Sequence, residues 1–317
     1  LPIFEISNCP LVSLALQDNS HPCSKVVKWQ ADQWNPTVKN LAGSKMHRPE
    51  AWTGQLSIAP IMFVASNPSF DKKENFPNWD SNVWNESNIS DFGANRFSNK
   101  TDRKYGATDV GGKVGPDRTV DLTGNVSKPV SHWKWVRKYV AMVLGKDFSE
   151  TSAVSDYVMT ELVHCKSPKE QGVWSQSLST CSSKYFERIL ELSPAKLIFI
   201  AGVKSAKSFA ETYPELVPNN WGAWSNSAKG KGSWPATKVS LADMVKKDKW
   251  GLEIQMQNSF EAELGGQKRT FIYIARPGGG GGLYAPWVHE KLVHPELIKH
   301  WRSKLGDRKS TRLNSSH

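Results

Sequence analysis

The residues best placed to do chemistry sit just after apolar runs. IMFVAS, Ile61 to Ser66, stops abruptly at Asn67 and Pro68. Such a run closed by turn formers predicts a buried strand that delivers a polar side chain at its carboxyl end. Cys165, Gly202 and Arg276 follow similar runs. The chain holds four cysteines in all, Cys9, Cys23, Cys165 and Cys181.

The elements that must position these residues follow from periodicity. Strands are expected at Pro60 to Ser66, Val154 to Val163, Ala195 to Ala201 and Arg269 to Ala275, with helices over Ser131 to Leu144, Val173 to Leu192 and Ser205 to Tyr213. Strands alternating with helices predict an α/β fold, a three-layer α/β/α sandwich around a central four-stranded, mostly parallel sheet. Ligands of such sheets sit beyond the carboxyl ends of the strands. Asn67, Cys165, Gly202 and Arg276 are therefore expected on one rim. Asp71 to Pro129 and Pro214 to Trp250 read as long insertions into one domain spanning residues 1–306. Gly278 to Gly282, directly after a strand, read as a loop of the site.

Composition narrows the class. The 317 residues carry a formal net charge of +11, and no apolar stretch reaches the ~20 residues of a membrane span. A cytoplasmic or nucleoid-associated protein, with no membrane partner and monomeric, is expected. The positive excess suits a polyanion such as nucleic acid, and fourteen tryptophans supply core volume and stacking faces. Gly202 and Val203 open a helix without a glycine-rich fingerprint, so no nucleotide cofactor is expected. The closing DRKSTRLNSSH, residues 307–317, resembles a translated sequencing adapter and is set aside.

FVASNPS resembles the first motif of the uracil-DNA glycosylase superfamily, where a strand ends in Gly-x-Asn-Pro-Gly or Gly-x-Asp-Pro-Tyr. TELVHCKSP, STCSSKYFERILELSPAKLIFIAG and YIARPGG follow in the order seen in the iron-sulfur, thermostable-type branch. The similarity spans most of Pro60 to Leu283. It implies excision of a damaged or deaminated base, uracil or a relative, flipped out of DNA. By this resemblance Cys165 and Cys181, sixteen residues apart, occupy the third and fourth positions of a [4Fe-4S] cluster, with Cys9 and Cys23 as the other two ligands. The related enzymes have Cys-x-x-Cys at the amino end, whereas thirteen residues separate Cys9 from Cys23 here. Free buried thiols and a zinc site are the other readings of the four.

The resemblance assigns Asn67 to the water and the oxocarbenium-like sugar at C1′; the plainer reading is a cap on the turn before Pro68. Ser66, Pro68 and Ser69 complete the motif, with Ser69 where the strictest uracil enzymes carry a tyrosine. Phe70 or Phe76 would stack on the extruded base, or belong to the core. Two departures stand out. Glu161 replaces an asparagine that reads the pyrimidine edge, and an ionised Glu offers acceptors only. Arg276-Pro277-Gly278 replaces His-Pro-Ser, leaving Arg276 to neutralise a departing anion or grip phosphate. The expected activity is a DNA glycosylase; the competing expectation is an inactive DNA-binding or damage-sensing module of the same fold. HWKWVRKY places Lys134, Arg137 and Lys138 on a helix, toward phosphate or toward solvent.

Overall fold

The structure, a computed structural model, describes residues 2–34, 41–97, 104–105, 108–109, 114–219, 221, 252–274 and 290–306. In chain order the strands are β1 (Trp52–Thr53), β2 (Ile61–Ala65), β3 (Lys104–Tyr105), β4 (Thr108–Asp109), β5 (Val158–Glu161), β6 (Leu197–Ala201), β7 (Ser259–Leu264) and β8 (Gln267–Ile274). The main helices are α1 (Pro2–Ser7), α2 (Leu11–Gln17), α3 (Ser24–Trp34), α4 (Glu86–Asn95), α5 (Ser131–Leu144), α6 (Ser175–Glu191), α7 (Val203–Thr212), α8 (Leu252–Met256) and α9 (Pro295–Lys304). Among the described residues strands β3 and β4 pair only with each other.

The other six strands form one sheet in the order β1-β5-β2-β6-β8-β7. Its centre, β5-β2-β6-β8, is parallel and coincides with the four strands expected from the apolar runs. The expected four-stranded sheet is corrected by two antiparallel edges, β1 on β5 and β7 on β8. Neither edge could be read from a buried run. β1 is two residues long, and β7 mixes half-buried with exposed positions, as an antiparallel strand with one face toward solvent does. The β7–β8 hairpin turns through Gly265 and Gly266, at φ of 61° and 70°, the left-handed pair that a two-residue hairpin demands.

Register explains the layering. Phe63, Phe199 and Ile272 are consecutive cross-strand partners on one face. Phe63 stacks on Phe199 at 4.8 Å, and Phe199 meets Tyr139 of α5 and Trp301 of α9. On the opposite face Phe271 meets Phe209 of α7, which packs edge-on against Phe186 of α6. Helix α5 buries Trp135, Val136, Tyr139, Val140 and Val143, the spacing of one helical face, and ends at Gly145 with φ 65°. In that helix Arg137 is buried against Asp117 and Phe148, Lys138 pairs with Glu290, and Lys134 is exposed. Of the three basic residues, one is therefore core rather than surface. Arg269 of β8 is buried too, donating to the carbonyls of Leu264, Leu190, Ser193 and Ala195 and so clamping the sheet to the end of α6.

The amino-terminal helices dock on α6 and the segment before it. Trp174 Nε1 donates to the Pro22 carbonyl at 2.5 Å, Lys25 lies 4.1 Å above the Trp174 ring, and Arg188 pairs with Glu5 at 2.6 Å. Among the described residues no helix is long and apolar enough to cross a membrane.

Candidate active site at the carboxyl rim of the sheet

A cavity of about 320 Å³ opens at the carboxyl ends of β2, β5 and β6, on the face covered by α5. Its floor is Phe63, Ala65, Met159, Ala201 and Val136. Strand alternation selects them: Ala65 follows Phe63 by two, and Glu161, also in the wall, follows Met159 by two. The volume lies at the small end of the range for ligand sites.

Asn67 lines this cavity while remaining 96 % buried, with 4 % exposure. Its Nδ2 donates to Ser167 Oγ at 2.9 Å and lies 3.1 to 3.4 Å from the carbonyls of Pro68, Ser167 and Cys165. All of these are acceptors, so the amide can face them only with its nitrogen. Oδ1 accepts nothing among the described residues and is presented to the cavity. The asparagine is thus more than a turn cap: one end is anchored, and the other is an acceptor facing the cavity.

Pro68, Ser69 and Glu161 join it in the lining. Three other expected site residues do not. Ser66 is buried and hydrogen-bonds Glu170. Phe70 lies edge-on to Trp29 at 5.4 Å and beside His47 at 5.0 Å. Phe76 is in the core between His47 and Phe92. For Phe76 the core reading holds, whereas Phe70 is half-buried against Trp29 and His47 and joins neither the cavity lining nor the core. The aromatic residues at the cavity are instead Phe63 of the floor, His132, and Trp133, half-buried against Phe97 at 4.4 Å. Arg276, Pro277 and Gly278, and the glycine run to Gly282, lie outside the described residues.

The sequence reading missed a set of buried ions in the cavity wall. Arg96 pairs with both Glu50 and Glu74; Lys166 lies 2.8 Å from Glu50 and 3.7 Å from Glu74, with its Nζ 3.7 Å from the Phe76 ring centre. Lys166 is 1 % exposed and Arg96 3 %. Burial raises the Glu50 pKa, but Arg96 and Lys166 outweigh it and hold the carboxyl down at about 2. Burial lowers His47 well below 6.5, and Lys166 and Arg96 add to that. Nothing local announces this quartet. Its members come from four distant points of the chain.

The four cysteines, scattered from Cys9 to Cys181, are all buried and come within range of one another. Burial pushes the Cys165 thiol up, and Cys23, Cys181 and Cys9 push it further. Cys23 is raised to about 11 by burial and by Cys9. Tyr185 lies beside Cys9, and the backbone of His164 lies against Cys181, favouring its thiolate. Among the described residues no three His, Cys, Asp or Glu side chains form a group that would hold one metal ion. A cubane asks for something else, one thiolate at each of four iron corners, and four buried, mutually neighbouring cysteines suit that donor set. They lie where the amino-terminal helices meet α6 and the β5–α6 connection, which is also the segment that anchors Asn67.

No protein-family model matches the chain, and no curated protein matches it.

Proposed function

We propose that this chain is a DNA glycosylase that hydrolyses the N-glycosidic bond of a base turned out of DNA. The observation that carries the reading is the Asn67 amide, anchored through its nitrogen and offering Oδ1 to a base-sized cavity at the carboxyl rim of a parallel sheet. Loss of the base leaves an oxocarbenium-like sugar, and an oxygen acceptor near C1′ orients the attacking water and favours the developing positive charge. An amide takes up a proton poorly, so departure of the base runs ahead of water attack and the proton passes to solvent. Trp133, half-buried at the cavity, offers an aromatic face to stack on the extruded base. The basic excess, which falls from +11 to +9 once residues 307–317 (three basic, one acidic) are set aside, supplies attraction to the phosphate backbone.

Cys9, Cys23, Cys165 and Cys181 would hold a [4Fe-4S] cluster with a structural role, joining the amino-terminal helices to the sheet. The protein would act as a monomer.

The test is a panel of single- and double-stranded oligonucleotides, each carrying one altered base, followed by alkaline cleavage. At least one base is expected to be released, and Asn67→Ala should slow that release by roughly 10²-fold, the scale of one positioned polar group. Release at an equal rate in Asn67→Ala removes the asparagine from catalysis. If no base is released from any substrate, the enzyme reading fails.

A further inference from the structure

Resting on the glycosylase reading, we infer that the substrate is duplex DNA and that the hairpin 119–127 enters the base stack through Leu122, filling the space that the extruded base leaves. Exposed apolar side chains point to it. Among the described residues six large ones are exposed, and four of them stand singly at Leu14, Ile58, Leu192 and Met256. The other two, Leu122 at 53 % and Val126 at 41 %, share this one hairpin. Single exposed apolar residues are ordinary on a protein surface, whereas a pair on one projecting turn marks a contact.

The hairpin is rooted in the mouth of the cavity. Thr119 at its start and Val130 just after it both line the cavity, as do Asp71 and Glu74 of the segment it pairs with. Val120 bridges to Val126, its carbonyl accepts from the Asn75 N–H at 2.8 Å, and the Leu122 N–H donates to the Lys73 carbonyl at 2.9 Å. Val120 itself is buried in the small core with Phe76, Trp84 and Phe92. At the tip the Asp121 carboxylate accepts from the N–H groups and the side chains of Thr123 and Asn125, and Gly124 takes a φ of 89° to close the turn. A tip fixed in this way keeps Leu122 in solvent. Leu122 lies three residues beyond Thr119, at most about 10 Å of extended chain from the cavity lip.

Duplex DNA fits this arrangement by shape and by charge. Turning a base out of a duplex leaves a gap walled by the apolar faces of its neighbours and an unpaired base opposite, and the lost stacking opposes extrusion unless an apolar group fills the gap. A leucine on a fixed turn beside the cavity is placed to fill it. Lys73, Lys128 and Lys134 are exposed and, among the described residues, pair with no carboxylate. The acids of the same segments are occupied: Asp71 accepts the Lys73 N–H, Asp121 serves its own turn, Glu74 belongs to the ion quartet and Asp117 pairs with Arg137. Cations around an apolar tip suit a base stack with phosphates on either side. A single strand has no opposite base to leave unpaired, so the hairpin matters less to it.

The experiment measures equilibrium binding, by fluorescence anisotropy, to a duplex carrying one tetrahydrofuran abasic site and to the intact duplex of the same sequence; base release is compared on the single- and double-stranded forms of the oligonucleotide panel. Taking the ratio of the two affinities cancels the phosphate contribution. Wild type should bind the abasic duplex at least about tenfold tighter, the scale of burying one leucine side chain. Leu122→Ser should bring that ratio close to one and lower the duplex-to-single-strand ratio of base release by about tenfold, whereas Leu122→Met should keep most of both. Leu122 is exposed, so its replacement leaves the core untouched. Equal binding of the two duplexes by wild type, or an abasic preference that survives in Leu122→Ser, overturns the inference. Release from single strands alone, abolished by Asn67→Ala, keeps the glycosylase reading and rejects this one. An abasic preference lost in Leu122→Ser, with no release from any strand, keeps the inserted hairpin and rejects the glycosylase, and no binding of any strand rejects both.

Discussion

At the scale of single residues, Asn67 illustrates how much a side chain's orientation decides. A carboxylate at this position is a stronger partner for a cationic sugar, and by that argument alone Asn67→Asp would preserve or raise activity. The surroundings argue otherwise. Three carbonyls and the Ser167 hydroxyl face the nitrogen of the amide, and an ionised Asp would set an oxygen against those carbonyls. Only the Ser167 hydroxyl can turn to donate. The native carboxyl should therefore hold its proton to higher pH than an unfolded one, so Asn67→Asp should lose stability relative to wild type as pH rises above ~4. Urea unfolding at pH 4.5 and pH 7.5 checks this. A penalty that stays constant with pH would mean the carboxyl escapes those carbonyls.

At the scale of elements, the segment His164 to Ser167 has a separate task at each position. His164 accepts from the Glu50 N–H at 2.8 Å and lies against Cys181; Cys165 joins the thiols; Lys166 closes the ion quartet; Ser167 holds Asn67. Four consecutive residues thus tie the amino-terminal helices, the cavity wall and the candidate catalytic amide together. Cys165→Ser should reach further than one ligand. After anaerobic reconstitution wild type should contain about four irons, with broad absorbance near ~400 nm, and the variant should hold fewer and melt at lower temperature. Colourless wild type that is fully folded after reconstitution would show the four cysteines to be buried thiols and nothing more.

At the scale of the whole molecule, buried ionisable groups tie folding to pH. His47 is kept neutral by burial and by Lys166 and Arg96, so its folded pKa lies well below the 6.5 of an exposed imidazole. Below about pH 6.5 the unfolded chain takes up a proton that the folded chain refuses, and stability should drain as pH falls. Each unit of depression corresponds to about 1.4 kcal/mol. His47→Gln should make the fall in urea midpoint between pH 7.5 and pH 5.5 smaller. An unchanged fall would place the sensitivity elsewhere. Glu50 acts in a lower window. Its carboxyl is held at about 2, so its contribution is complete above the unfolded pKa near 4.5 and is lost as pH drops toward 2.

The α/β class, the four parallel strands, helix α5 and the arrival of Asn67 at a strand end were legible in the sequence. Each depends on hydrophobic periodicity or turn chemistry within a few neighbouring residues, and IMFVA and LIFIA are buried on both faces whatever lies around them. Tertiary structure alone decided what depends on partners from distant segments. It took Phe76 into the core, turned Phe70 against Trp29 and put Trp133 at the cavity. It added the edge strands β1 and β7, paired Glu50 and Glu74 with Arg96 and Lys166, and gathered four scattered thiols. The direction of the Asn67 amide belongs with these. Two nearly isosteric ends of one side chain are told apart only by the acceptors around Ser167, a hundred residues away along the chain.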